Sequence, residues 1–181
     1  MIERENSIFI AIDFQERLLP AMAHKDWVKA QSIKLINGIK LLGLPMLATT
    51  QYAKGIGETE IDILEALGDT RVIDKRTFSV FGCEEFCEAF EETAEGRNTA
   101  VVCGIETHIC LQQSCLDLIE RGYEVYIPAD CVDSRSEFDR DMALRRLEKA
   151  GCIITTYESV LYELTRDSRL PEFKGIVKIV K

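Results

Sequence analysis

The chain has 181 residues, of which 46% are hydrophobic and 29% charged, enough apolar material for one well-buried core and too little length for two ordinary domains, so one domain over residues 1–181 is expected. Its 22 basic and 31 acidic residues leave a formal charge of −9 and a pI near 4.9, which argues against nucleic acid and anionic membrane as partners. Seven cysteines follow a start without a basic region, apolar stretch and cleavage site, so they read as reduced thiols of a cytoplasmic protein; no apolar run approaches the roughly 20 residues that cross a bilayer.

Six short β-rich runs succeed one another, at residues 7–13, 45–50, 71–74, 99–104, 124–129 and 152–156. Their apolar residues are adjacent instead of alternating, as in Ile8-Phe9-Ile10-Ala11-Ile12, which is expected of strands covered on both faces in a parallel sheet. Between the first two runs Val28, Leu35, Ile39 and Leu42 follow a helical period, and Ala143, Leu147 and Ala150 do the same after the polar cluster at 133–136. Gly43, Gly122 and Gly151 stand where helix ends call for a left-handed residue. This strand and helix repetition predicts an α/β fold of three layers, a six-stranded parallel sheet with helices on both faces. Residues 166–181 read as a tail, with 176–180 as a candidate extra strand.

In an open parallel sheet, polar groups directly after strands face a common crevice. Asp13 closes the first apolar run, where a partly desolvated carboxylate suits a proton acceptor, although a turn or helix-cap aspartate fits the position too. Lys75 follows the third run, where its ammonium could neutralise a thiolate or a developing oxyanion; by itself it reads as a surface lysine. Cys110 follows the fourth run, in the first turn of a helix predicted to extend to about Arg121. A thiol there is expected to be acidified by the helix dipole and free N–H groups, to about 3.5–7.5 in activated cases, and the same N–H groups could hold an oxyanion, about 3 kcal/mol per donor. The plain alternative for Cys110 is a small buried hydrophobe, the reading adopted for Cys103, Cys115, Cys131 and Cys152.

From Ser7 to about Leu164 the sequence resembles the isochorismatase-like (cysteine hydrolase) superfamily. Gly104-Ile105-Glu106-Thr107-His108-Ile109-Cys110 matches its nucleophile motif, Asp13 in Asp13-Phe14-Gln15 its base, and Lys75 in Lys75-Arg76-Thr77-Phe78-Ser79-Val80-Phe81 its lysine. The stretch from Pro128 through Asp130 and Asp133 to Ser136 resembles the family's loop after the fifth strand. The resemblance implies strand order 3-2-1-4-5-6, with Asp13 and Cys110 on neighbouring strands, a cis peptide between Ile105 and Glu106, and a catalytic triad of Asp13, Lys75 and Cys110. It further implies a covalent acyl-enzyme, with the backbone N–H groups of Glu106 and Cys110 receiving the oxyanion, and a homo-oligomeric state.

Where nicotinamidase-like members carry an Asp-x-His…His metal cluster, this chain has Gln51-Tyr52-Ala53-Lys54-Gly55-Ile56-Gly57, and only two histidines occur, His24 and His108; no metal and no other cofactor is expected. Gly55-Ile56-Gly57 lacks the pattern of a phosphate loop. Members that hydrolyse isochorismate typically lack the cysteine, so Cys110 favours a small amide or related acyl substrate over an ether or ester. The Thr50-Gln51-Tyr52 segment most resembles the isochorismatase-domain-containing subgroup. Gln15, Gln51, Tyr52, Phe78, Phe81 and His108 lie near the three catalytic positions and are expected to line the substrate pocket, with core packing as the alternative for Phe78 and Phe81. A thiol-based redox or binding protein without turnover is the alternative from another class.

Overall fold

In the computed structural model, which describes residues 1–181, the apolar runs become strands of one sheet. In chain order the elements are β1 (Ser7–Ile12), α1 (Lys25–Leu41), β2 (Met46–Gln51), the single turn α2 (Ala53–Ile56), α3 (Ile61–Leu67), β3 (Val72–Lys75), α4 (Glu84–Thr93), β4 (Thr99–Ile105), α5 (Gln112–Glu120), β5 (Glu124–Pro128), the two-residue β6 (Val132–Asp133), α6 (Glu137–Ala150), β7 (Ile153–Thr155), α7 (Tyr157–Thr165) and α8 (Phe173–Val180). Every strand pairing is parallel, in the order β3-β2-β1-β4-β5-β7, and β6 pairs with the end of β4 off that path. The six expected strands thus take the expected order, with β7 in sixth place and β6 as an addition.

Alternation along the buried strands divides the core in two. Phe9 and Ala11 point to a layer containing Leu35, Ile36 and Ile39 of α1, Val160 and Leu161 of α7 and Ile176 of α8. Ile8, Ile10 and Ile12 point to the opposite layer, with Phe86 and Phe90 of α4, Leu118 of α5 and Leu147 of α6. Full burial of such a side chain contributes about 1.5–3 kcal/mol, so both layers hold the sheet strongly. The helices begin where short polar side chains satisfy free amides: Ser136 Oγ accepts from Asp139 N at 3.3 Å and Thr156 Oγ1 from Ser159 N at 3.4 Å. α6 ends at Gly151, whose φ is 108°.

The candidate strand at 176–180 is instead part of the helix α8. Ile-Val-Lys-Ile-Val is rich in β-branched residues, yet Ile176, Ile179 and Val180 fall at i, i+3 and i+4 and present one apolar stripe to the α1 layer. A Cβ on Gly175 would lie 2.5 Å from Leu41 Cδ2, so the two helices approach closely there. No helix is long and apolar enough to cross a membrane.

Candidate active site

The carboxyl ends of β1, β2, β3 and β4 bring three of the predicted residues together. Ile12 stands opposite Thr49 on β2 and Gly104 on β4, and Gln51 stands opposite Lys75 on β3. Asp13 therefore leaves β1 between its two neighbours, while the long side chain of Lys75 crosses the end of β2 to reach it. Lys75 Nζ lies 2.7 Å from Asp13 Oδ2, and both side chains are sealed from solvent. A pair this dry is held by its geometry, since desolvation opposes the attraction, and removing one partner would leave a bare buried charge.

Both Asp13 oxygens and all three Lys75 protons are engaged, while the carboxylate keeps further lone pairs. Thr49 Oγ1 donates to Asp13 Oδ1 at 2.7 Å. The Lys75 ammonium donates also to Gln51 Oε1 at 2.8 Å and to the Thr77 carbonyl at 3.3 Å, so its three protons have three acceptors. Thr49 and Thr77 were not foreseen; strand register pointed to Thr49, opposite the residue before Asp13, whereas the Thr77 carbonyl depends on the loop after β3.

Cys110 approaches from β4. Gly104 allows this because its φ is 137° and a Cβ there would lie 2.2 Å from the Ile12 carbonyl oxygen, a backbone contact that only glycine permits. The Ile105–Glu106 peptide is cis. Residues Thr107–Leu111 then form a wide π-type turn, in which Leu111 N donates to Glu106 O at 3.4 Å, before α5 begins. The Cys110 thiol lies 4.0 Å from Gln51 Oε1. It retains 5% exposure, whereas Cys103 has none.

The acidified thiol expected from a helix start is not found. Burial first, then the negative charge of Asp13 and a hydrogen bond to it, push Cys110 up to about 12, against the opposing pull of Lys75. Desolvation is the largest cause because the thiolate would have to form in a dry pocket. This setting favours the protonated thiol beside the Asp13–Lys75 pair.

The other expected pocket residues take varied positions. Gln15 is buried and bridges the end of β2 and the residue after α2, its Nε2 donating to Gln51 O at 3.1 Å and to Gly57 O at 2.7 Å. Tyr52 carries the Arg76 guanidinium over its ring, 3.7 Å from the centroid. His108 is half-buried, with Nδ1 2.9 Å from Ser134 Oγ. Phe78 is exposed. Phe81 is engaged in an aromatic cluster, edge-on to Phe86 and Phe90 with centroids at 5.6 and 5.1 Å. Buried Glu106 accepts from Arg135 N and Nε at 2.9 and 3.0 Å, which ties the loop before α6 to the cis peptide.

No three His, Cys, Asp or Glu side chains converge closely enough to hold a metal ion. His24 lies elsewhere, between Asp133 Oδ1 at 3.4 Å and Glu137 Oε1 at 2.6 Å.

The family described as Isochorismatase domain matches residues 7–159. Isochorismatase domain-containing protein 1 of Danio rerio is 42% identical over 175 residues, 97% of this chain and 61% of that relative, so the chain spans less than two thirds of its length. The secreted isochorismatase effector Isc1 of Phytophthora sojae is 36% identical over 177 residues, 96% of this chain and 80% of the effector. Among solved structures, the MAR1 ribonuclease from Caenorhabditis elegans superimposes with a TM-score of 0.92 at 33% identity, over 99% of this chain and 91% of that one. A match running from β1 into α7, across all the strand ends that build the cluster, makes this chain a member of the isochorismatase family.

Proposed function

We propose that this chain is a cysteine hydrolase of a small amide or related acyl compound, with Cys110 as nucleophile, Asp13 as proton acceptor and Lys75 as the balancing charge. The observation that carries this reading is a thiol 4.0 Å from Gln51 Oε1, which itself accepts from the Lys75 ammonium of a sealed carboxylate–ammonium pair. Asp13 takes the thiol proton as sulfur attacks the carbonyl carbon, so no free thiolate has to persist in the dry pocket. The oxyanion is received by the backbone N–H groups of Glu106 and Cys110. Lys75 acts through its charge, because its three protons are already engaged by Asp13, Gln51 and Thr77. Collapse of the tetrahedral species breaks the C–N bond, and the amine leaves with the proton held by Asp13. Water, deprotonated by Asp13, then attacks the thioester, releasing the acid and restoring the thiol.

The test is mass spectrometry of the intact protein during incubation with a panel of small amides, esters and aldehydes, with adducts mapped by digestion. An adduct on Cys110, and loss of labelling and of turnover by orders of magnitude in Cys110→Ser, are expected. Full turnover in Cys110→Ser would refute the assignment. Preference for esters in that panel, or turnover of a vinyl ether added to it, would favour the isochorismatase-type alternative. Metal-independence is proposed from the residues at 51–57, which lack the histidines of metal-binding relatives; one equivalent of zinc or iron in purified protein would contradict it.

RNA cleavage is a second reading, favoured by the C. elegans relative's name. The net charge of −9 weighs against it, since phosphate backbones are held by basic surface. RNA degradation that tracks the Cys110→Ser substitution would overturn the preference. A homo-oligomer and a cytoplasmic setting, the latter supported by seven unpaired cysteines, complete the proposal and are checked by light scattering and cell fractionation.

A further inference from the structure

We infer that Gln51 is a positioning residue that fixes the Lys75 ammonium beside the Cys110 sulfur and is not a wall of the substrate pocket; this rests on Cys110 being the nucleophile. The side-chain amide is held at both ends. Its Nε2 donates to the Arg76 carbonyl at 2.8 Å, and its Oε1 accepts from Lys75 Nζ at 2.8 Å with the thiol at 4.0 Å. A flip would aim an N–H at an ammonium and a carbonyl at a carbonyl, so the amide has one orientation.

The backbone of Gln51 is held as firmly. Its N–H donates to Gln15 Oε1 at 2.7 Å and its carbonyl accepts from Gln15 Nε2 at 3.1 Å. Gln15 is itself buried, two positions beyond Asp13. The amide oxygen is thus tied to the exit of β1, which carries Asp13, and to the exit of β3, which carries Lys75.

This arrangement governs how much Lys75 does for the sulfur. Of the three acceptors around the ammonium, Asp13 pulls it along the ion pair and the Thr77 carbonyl is the longest contact, at 3.3 Å. Gln51 Oε1, like Asp13, also approaches the thiol, and unlike Asp13 it carries no charge that opposes ionisation of the sulfur. Lys75 is what opposes the upward push on Cys110 from burial and Asp13, so displacing the ammonium from the Gln51 side removes the help the sulfur receives as it gives up its proton.

The experiment follows the rate of Cys110 alkylation by iodoacetamide from pH 7 to 10, mapped by peptide mass spectrometry, in the wild type, Gln51→Glu, Gln51→Asn and Gln51→Leu, with folding checked by circular dichroism. Gln51→Glu is nearly isosteric and sets a negative charge near the sulfur; it is expected to move the alkylation profile up by about one pH unit, a tenfold slower rate at fixed pH. Gln51→Asn is too short to span Arg76 and Lys75 and is expected to slow alkylation by a smaller factor, as is Gln51→Leu. On an amide that the wild type turns over, kcat is expected to fall with KM unchanged. Profiles of folded Gln51→Glu and Gln51→Leu that superimpose on the wild type would overturn the inference, as would a raised KM with an unchanged profile. If wild-type Cys110 is alkylated no faster than Cys103, or Cys110→Ser retains turnover, the nucleophile assignment itself has failed.

Discussion

Two buried thiols, Cys103 on β4 and Cys110 in the turn that follows, sit in settings that differ in one respect. Cys103 stands opposite Ala11 in the centre of the sheet, wholly buried, and burial alone drives its thiol upward. Cys110 is nearly as dry, but a carboxylate and an ammonium act on it with opposite signs. Burial makes a cysteine inert; what distinguishes the second is a carboxylate beside it, which in the proposed reaction takes its proton, and a positive charge beside that carboxylate.

The comparison breaks most severely if the ion pair is broken. Lys75→Met leaves the Asp13 charge without a partner in a sealed site and is expected to cost about 3–5 kcal/mol in urea unfolding, while the double variant with Asp13→Asn recovers much of that loss without recovering reactivity. Thr49→Val removes the hydroxyl from Asp13 Oδ1; leaving that acceptor unpaired is expected to cost about 1–3 kcal/mol by the same assay.

A pH series sharpens what the thiols share. Burial, then Asp13, push the Cys110 thiol up to about 12 from an ordinary 9.0, and burial pushes Cys103 in the same direction. Their contribution is whole below pH 9, where both states bind the proton, and is lost as pH rises toward 12, where only the unfolded chain ionises. Stability should therefore fall above pH 9 by about 1.4 kcal/mol per unit per thiol, and Cys110→Ala should flatten that slope by one thiol's worth. The smallest effect is expected from Cys103→Ala, about 1 kcal/mol in stability with turnover and Cys110 labelling unchanged. A loss of labelling in that variant would show that the two sulfurs are not independent.

Much of this was legible in the amino acids. The runs around Ile10, Ile73 and Val102 announced strands of the sheet, with Asp13 and Lys75 standing directly after the first two and Cys110 in the turn that follows the third. The tail was misread because β-branched residues favour strands locally, whereas the partners of Ile176 come from α1, far away in the chain. The acidified Cys110 failed for a similar reason. A helix start can be read from neighbours in sequence, but dryness comes from the whole fold. The two-residue β6 carries no pattern of its own and exists because the end of β4 offers it a free edge.

The sealing of the Asp13–Lys75 contact also bears on ionic strength. Dissolved ions weaken attractions between charges that water can reach and leave those inside the protein largely untouched. The proposed hydrolysis is therefore expected to be nearly indifferent to potassium chloride up to roughly molar concentration, and a salt sensitivity would belong to the surface arginines and not to the sealed pair.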